Sequence, residues 1–192
     1  MRVGLFVTCL VDLVRPRIGF AAIELLESAG CEVIVPSTQT CCGQPGYNSG
    51  DVKSGRDLAL KFLDEFQGCD YIVAPSGSCS GMIRTHYPVI FKDEPEVLQR
   101  LTVLTDKTYE LTDFLVNVAK PDKLNTNFSG SVTYHDSCSG LRELGVKNQP
   151  RTLLKQCGVA VTEMLDAEVC CGFGGTFSVK LGDISTRMAD NK

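Results

Sequence analysis

The chain of 192 residues lacks long hydrophobic runs and has no excess of positive charge. Its apolar stretches are far shorter than the roughly 18 residues that a transmembrane helix needs, so no membrane span is predicted. It has 19 Lys and Arg against 23 Asp and Glu, a net charge of −4, and the basic residues are not clustered. This balance excludes the basic patch typical of nucleic-acid binding. Asp12 interrupts the apolar N-terminal stretch and no small-residue cleavage site follows, so we expect no secretory signal and a cytoplasmic location.

Several motifs that carry chemistry are also missing. The glycines at 172–175 occur without a GxGxxG fingerprint or a P-loop lysine, which argues against nucleotide binding. No G-x-S-x-G nucleophile motif is present. No C-x-x-C pair occurs either, although structural zinc sites usually use closely spaced cysteine pairs of that kind.

What the sequence does contain is ten cysteines. They make up about 5% of the chain, below the share typical of small secreted disulfide scaffolds. A chain of this length also forms a hydrophobic core without disulfide bonds. Cysteines at this density therefore indicate metal binding or redox chemistry.

Seven of the cysteines form an internal repeat. Thirty-one residues separate Cys9 from the triplet Cys41-Cys42-Gly43, and the same number separate Cys138 from Cys170-Cys171-Gly172. The offset between the two copies is 129 residues throughout, which is the signature of duplicated structure. The first copy also contains Cys79, and the offset takes its counterpart to position 208, so the second half is predicted to be incomplete. The three cysteines outside the pattern are predicted to be packing residues: Cys31, Cys69 and Cys157.

Strands and helices alternate in both copies. Apolar runs predict strands at 3–8, 32–35, 71–74, 131–135 and 159–165. Helical spacing predicts helices at 17–29, 51–67, 79–87, 95–119 and near 150–156. The same spacing continues in the last residues, 181–192. We therefore predict an α/β protein made of two related βαβ halves with parallel sheets, at 1–120 and 131–192, joined by a polar linker at 121–130.

Each patterned cysteine follows a predicted strand. Because the carboxyl ends of parallel strands meet at one edge of a sheet, four thiols of the first half are expected to converge there. Converging thiolates are the ligands of iron–sulfur clusters, and zinc or inert packing are the alternatives. Glycines near the cysteines would let backbone N–H groups approach sulfur: Gly43, Gly46, Gly77, Gly81, Gly172, Gly174 and Gly175.

The chain has two histidines. His135 lies three residues before Cys138, where it could bond a thiolate or carry a proton. His86 is expected to be a structural or surface residue. The arginines that could balance cluster or substrate charge are isolated in the sequence and are expected to be solvated: Arg15, Arg17 and Arg84.

The cysteine pattern and its flanking strings resemble a known family. FVTCLVD, TCCGQPGYNSG, APSGSCSGMIRTHYP, YHDSCSGLRELG and CCGFGGTFSVK are similar to the duplicated cysteine-rich CCG domain of the lactate utilization protein A family. The same domain occurs in heterodisulfide reductase and in the iron–sulfur component of glycolate oxidase. The resemblance covers essentially the whole chain.

This resemblance implies an iron–sulfur protein that acts with other lactate utilization proteins in cytosolic oxidation of L-lactate to pyruvate. It implies one set of ligands from Cys9, Cys41, Cys42 and Cys79, and a second from Cys138, Cys170 and Cys171. The full family motif ends in C-x-x-C, whereas Met82 stands at the last position here, so a four-thiolate [4Fe–4S] cluster is expected in the first set. A three-thiolate or empty site is expected in the second.

Two other functions remain open at this point. One is a cluster enzyme of the heterodisulfide-reductase or glycolate-oxidase kind that acts directly on a disulfide or hydroxyacid. The other is an interaction module stabilised by zinc or by thiols. No flavin or nicotinamide fingerprint is present, so lactate chemistry would need a partner protein or an unconventional role for the cluster.

Overall fold

The computed structural model describes residues 1–122, 124 and 128–192. The first half contains a parallel sheet of four strands: β1 (Arg2–Leu5), β2 (Glu32–Ile34), β3 (Tyr71–Ala74) and β4 (Thr108–Glu110). Their order across the sheet is β2-β1-β3-β4, and Val3 of β1 lies opposite Val33 on one side and Tyr71 on the other. All four strands are short, and β1, β2 and β3 contain the aliphatic residues typical of a parallel sheet covered on both faces.

Helices connect these strands. The segment between β1 and β2 forms α1 (Cys9–Val14) and α2 (Pro16–Ser28), and the next forms α3 (Gln44–Asn48) and α4 (Val52–Phe66). After β3 come α5 (Gly77–Gly81), a π-helical turn (Met82–His86), α6 (Tyr87–Ile90) and α7 (Pro95–Thr105). After β4 come α8 (Leu111–Phe114) and a second π-helical turn (Leu115–Ala119).

Two hydrophobic clusters cover the two faces of this sheet. Successive side chains of a strand point to opposite faces, so Leu5 belongs to one cluster and Phe6, the next residue, to the other. Phe6 packs on Phe62 and Phe66 of α4, with ring centroids 6.1 and 5.9 Å apart. These clusters hold the strand ends that carry the cysteines in fixed positions.

The second half has a smaller sheet. Strands β5 (Ser131–Val132) and β6 (Ala160–Val161) pair in parallel. They are accompanied by α9 (Cys138–Leu144), α10 (Asn148–Gln156), α11 (Gly175–Lys180) and α12 (Gly182–Asp190). The predicted α/β class with parallel sheets in two related halves is thus confirmed. In the described part of the chain, no helix is both long and apolar enough to cross a membrane.

The structure departs from the predicted elements in several places. The strands expected at 3–8, 131–135 and 159–165 are shorter, because the chain turns toward helices or loops soon after each buried segment. The segment 95–119 contains β4 between its helices, and the helix expected at 79–87 begins two residues earlier and includes a π-helical turn. The linker predicted at 121–130 lies partly outside the described residues.

Candidate metal centre

Three loops at the carboxyl ends of β1, β2 and β3 bring together the four patterned thiols of the first half. The Sγ atoms of Cys9 and Cys41 lie 3.7 Å apart. The thiol of Cys42 contacts the thiols of both Cys41 and Cys79, so the four sulfur atoms form a continuous chain. Cys42 and Cys79 are buried, whereas Cys9 and Cys41 are partly exposed. Two of the four thiols therefore lie inside the protein, and the other two lie near solvent.

Short capped helices position two of these cysteines. Thr8 caps α1, which begins at Cys9, and its hydroxyl accepts a hydrogen bond from the N–H of Val11 at 3.4 Å. Ser76 caps α5 in the same way, with the N–H of Cys79 as the donor at 3.4 Å. Thr8 has φ +71°, an uncommon conformation for a residue other than glycine. Such strained backbone persists where the surrounding structure imposes it, here immediately before Cys9.

The Cys-Cys-Gly turn is held by hydrogen bonds at the residues around it. Gly43 has φ +81°, which glycine adopts without a steric penalty, and its N–H donates to the Sγ of Cys41 at 3.4 Å. Tyr87, fully buried, donates its hydroxyl hydrogen to the carbonyl oxygen of Cys42 at 2.9 Å. This hydrogen bond from Tyr87 attaches the turn to the hydrophobic core.

The thiols polarise one another. Hydrogen bonding from Cys42, helped by the Gly43 N–H, lowers the pKa of the Cys41 thiol to about 5 despite burial. Burial, and then the neighbouring charge on Cys41, raises the pKa of Cys9 to about 11. Hydrogen bonding with Cys42 also lowers the pKa of Cys79, while the pKa of Cys42 itself is raised because its single S–H is shared between the sulfurs of Cys41 and Cys79 and because it is buried. Cys41 and Cys79 are thus the thiols that most readily become thiolates.

The second half repeats this arrangement. The thiol of Cys138 is hydrogen-bonded to that of Cys170, and Cys171 lies close enough to interact with Cys138 electrostatically. The N–H of Gly172, which has φ +79°, bonds to Cys170, and this bond together with that from Cys138 lowers the pKa of the Cys170 thiol. Burial and the bond with Cys170 raise the pKa of Cys138. Cys138 and Cys170 thus reproduce the roles of Cys9 and Cys41.

Polar interactions position the second set. Ser137 caps α9, and its hydroxyl accepts the N–H of Gly140 at 3.3 Å. The carboxylate of Asp136, which is 1% exposed, is held by two 2.8 Å hydrogen bonds from the guanidinium of Arg151. Arg151 also bonds to Glu163. This ion network fixes the loop before Cys138, whereas the uncharged amide of Gln39 hydrogen-bonds the backbone of the equivalent segment before Cys9.

The thiols do not surround one ion. Among residues 1–122, 124 and 128–192, no group of three or more His, Cys, Asp or Glu side chains has the arrangement of a metal-ion site. The donors in each set are all thiols, the ligand type that iron–sulfur clusters and other soft metals take. Next to Cys79, the buried hydroxyl of Ser80 has no hydrogen-bond partner within the described residues.

The remaining predicted residues have varied surroundings. His135 Nδ1 donates to the carbonyl oxygen of Ala167 at 2.9 Å. His86 lies 3.5 Å from Glu143 and against the ring of Tyr47, which matches a structural role. Arg15 and Arg17 are exposed, whereas the guanidinium of Arg84 lies over the ring of Tyr109. The buried residues among those singled out are Met82, Cys31 and Cys69. Cys157 packs against a core cluster.

Two glycines have a different role from the one expected. A Cβ atom on Gly77 would lie 2.8 Å from the Cα of Gly140, and one on Gly81 would overlap the carboxylate of Glu143. Both glycines therefore allow α5 to pack closely on α9 of the other half. Only Gly43 and Gly172, among the glycines singled out, donate an N–H to a patterned sulfur in the hydrogen bonds described above.

Sequence reasoning missed the residues that hold the thiols. Thr8, Ser76 and Ser137 each precede a patterned cysteine by one to three residues, and a hydroxyl residue at that spacing is a helix-cap signal that was available. Tyr87 and Arg151 act across long sequence separations and carry no local signal. A cavity of about 530 Å³ beside Cys9 and Cys41 was also not anticipated.

Comparison with known proteins finds related sequences that match both halves of the chain. A family model described as a cysteine-rich domain, CCG, matches residues 3–84 and 132–192, one segment in each half. Lactate utilization protein A of Geobacillus thermodenitrificans is 48% identical over the whole chain, which spans 80% of that relative. The proteins of the same name from Bacillus licheniformis and Bacillus subtilis are both 47% identical over the whole chain, which spans 81% of each. The chain therefore belongs to the lactate utilization protein A family, with the CCG domain present twice.

Proposed function

We propose that this protein is an iron–sulfur component of a cytoplasmic lactate utilization system and passes electrons released when L-lactate is oxidised to pyruvate. The observation that carries the proposal is the duplicated contact of the first cysteine of each half with the first cysteine of its Cys-Cys-Gly triplet, together with the same Gly-to-sulfur bond in both halves. The relatives named lactate utilization protein A supply the substrate and the system. Other proteins of that system are the expected partners.

The first set has the donors for a [4Fe–4S] cluster. Cys9, Cys41, Cys42 and Cys79 would hold it, since four cysteine thiolates are its usual ligands. Bound there, such a cluster accepts and donates single electrons. The chain itself supplies the buried environment of Cys42 and Cys79 and the Gly43 N–H, which stabilises negative charge on sulfur.

Cys138, Cys170 and Cys171 would be ligands of a second cluster. Three thiolates leave one coordination position for a further donor. The lowered pKa of Cys170 and its bond from Gly172 match the first set, so the same class of group is expected at both places.

Direct turnover of lactate at the first set is a second candidate, and the cavity beside Cys9 and Cys41 is the place for it. Asp12 is the charged side chain of its lining, among residues such as Val7, Val35 and Gln39. Its negative charge disfavours the binding of a hydroxyacid anion. This lining favours electron transfer over hydroxyacid binding at that place.

The proposal is tested by following the visible absorbance of anaerobically prepared protein. We expect a brown chromophore that bleaches when lactate and the partner proteins are present together, and not with lactate alone. Turnover of lactate by the isolated chain with an artificial electron acceptor would instead favour the direct enzyme. Stoichiometric zinc without sulfide would exclude both and leave a zinc-stabilised interaction module.

A further inference from the structure

We propose that Arg142 gives the thiol centre of the second half a higher reduction potential than the centre of the first half, so that electrons move from the first centre to the second. This inference rests on the proposed function, since it concerns the clusters that the two thiol sets would hold. The observations that carry it are a difference in charge at equivalent positions beside the two sets and the contact between helices that carry their cysteines.

The helices that begin at the first cysteine of each half are equivalent, but they differ in charge. The repeat offset of 129 residues places Asp12 and Leu13 of α1 at the positions of Leu141 and Arg142 of α9. A carboxylate thus stands in the first turn of α1, where α9 has an uncharged leucine. A guanidinium stands on α9, where α1 has an uncharged leucine.

Arg142 acts on the thiols of the second set. Cys138 and Arg142 are four residues apart on α9, so their side chains lie on the same face of the helix. The positive charge of Arg142 acts on both Cys138 and Cys170, and at both it favours the thiolate. The other charged residue of α9, Glu143, lies where a side chain on Gly81 of α5 would meet its carboxylate. Arg142 is therefore the charged residue of α9 on the face that begins with the cysteine.

The first set has a carboxylate near it instead. Leu13, which takes the place of the arginine, is 80% exposed. Asp12 lines the same cavity as Cys9 and Cys41, so its negative charge lies on the exposed side of the first set. The next cation along the chain, Arg15, follows the C-terminal end of α1, about two turns from the helix start.

These charges act on the reduction potential of a cluster held by the thiols. Reduction adds one negative charge to a cluster, which a nearby cation stabilises and a nearby carboxylate disfavours. The charge around a cluster is one of the properties that set its potential. Arg142 therefore raises the potential of the second centre, whereas Asp12 lowers that of the first.

The two sets lie next to each other across the contact between the halves. Helix α5 carries Cys79 and packs on α9, which begins at Cys138. A Cβ atom on Gly77 would lie 2.8 Å from the Cα of Gly140, and each of these glycines is two residues from the cysteine of its helix. The transfer between the centres oxidises the first and reduces the second by one electron. It makes or breaks no bond and moves no proton.

Redox titration of anaerobically prepared protein, followed by electron paramagnetic resonance, measures both potentials. Cys170→Ser isolates the first centre and Cys41→Ser the second, and we expect the second potential to exceed the first. In the Cys41→Ser protein, Arg142→Leu should shift the reduction equilibrium at least about threefold, which lowers the potential by about 30 mV for a one-electron couple. Low ionic strength is used because salt screens exposed charges.

The controls separate the position of the charge from the net charge of the chain. Arg142→Lys keeps the charge and should keep the potential. Lys155→Leu removes an equal charge near the end of α10, which leads into the start of β6 at the opposite edge of the sheet, and it should also leave the potential unchanged. In the Cys170→Ser protein, Leu13→Arg should raise the potential of the first centre, whereas the uncharged Leu13→Gln should not.

The outcomes distinguish this proposal from the proposed function. Equal shifts in Arg142→Leu and Lys155→Leu, a second potential at or below the first, or a second set that binds no iron would overturn the proposal alone. Protein with neither iron nor sulfide in either set would overturn the proposed function as well.

Discussion

The two halves hold equivalent cysteines in surroundings that differ in burial and in charge. In the first half, the strand before the first cysteine is covered on both faces, and Val3 and Leu5 are completely buried. In the second half the equivalent strand is half-exposed, and a buried carboxylate held by Arg151 fixes the loop before Cys138. The position of the cysteines thus follows from the strand–loop–helix pattern that both halves share. The interactions that stabilise this pattern differ: the first half has a strand buried on both faces, and the second has a buried ion pair.

The largest expected difference concerns the ion network. Replacing Arg151 by methionine leaves the carboxylate of Asp136 buried and unpaired, which typically destabilises by about 3–5 kcal/mol. We expect hydrogen exchange in β5, α9 and α10 to accelerate while the first sheet keeps its protection. The matched control is Arg56→Met, since Arg56 pairs with Glu94 in the first half but both side chains are more than one third exposed. Its cost should be much smaller, because solvent screens an exposed ion pair, and equal effects of the two changes would contradict this view.

A second comparison uses equivalent valines. Val3 is buried in β1, and the repeat makes Val132 of β5 its equivalent, which is half-buried. Replacing Val3 by alanine should lower the free energy of unfolding by about 1.5–3 kcal/mol, as expected for apolar groups removed from a packed core. The same change at Val132 should cost less than about 1 kcal/mol, because less apolar surface is buried there. Denaturant unfolding of both variants measures the difference, and a larger loss at Val132 would show that the second sheet is the better packed.

A smaller effect is expected at the contact between the halves. In Gly77→Val the new side chain would meet the backbone of Gly140, which cannot move aside as a flexible side chain can. Overpacking of this kind costs about 1–3 kcal/mol. We expect lower stability and faster exchange in α9. Gly68→Ala is the control, because a Cβ there meets nothing within 4 Å, and a similar loss in both variants would argue against close packing of α5 on α9.

Much of this structure was predictable from the short-range pattern of apolar and polar residues in the sequence. Apolar runs located the strands, and helical spacing located long helices such as α2 and α4. The gathering of Cys9, Cys41, Cys42 and Cys79 followed from the rule that parallel strands end at one edge. Helices of five to seven residues, among them α1, α3 and α9, were missed because they are set by caps and contacts and are too short to show periodicity. Strand β4 was missed because its three residues lie within an otherwise helical segment.

The contacts that carry no local signal were not predictable. Arg151 and Asp136 are 15 residues apart, and Tyr87 reaches Cys42 over 45. The glycines of α5 were expected beside sulfur, but the sequence could not reveal that another helix passes over them. Such features depend on how the two halves pack, which the repeat implies only in outline.

Iron and acid-labile sulfide content, measured in anaerobically prepared protein and its cysteine variants, tests the central claim most directly. We predict about four irons and four sulfides from the first set in the original chain, since [4Fe–4S] is the expected cluster there. Cys41→Ser should lose these, whereas Cys170→Ser and the control Cys157→Ser should keep them. Iron that is unaffected by Cys41→Ser, or zinc in place of iron and sulfide, would contradict the assignment of the thiol sets as iron–sulfur ligands.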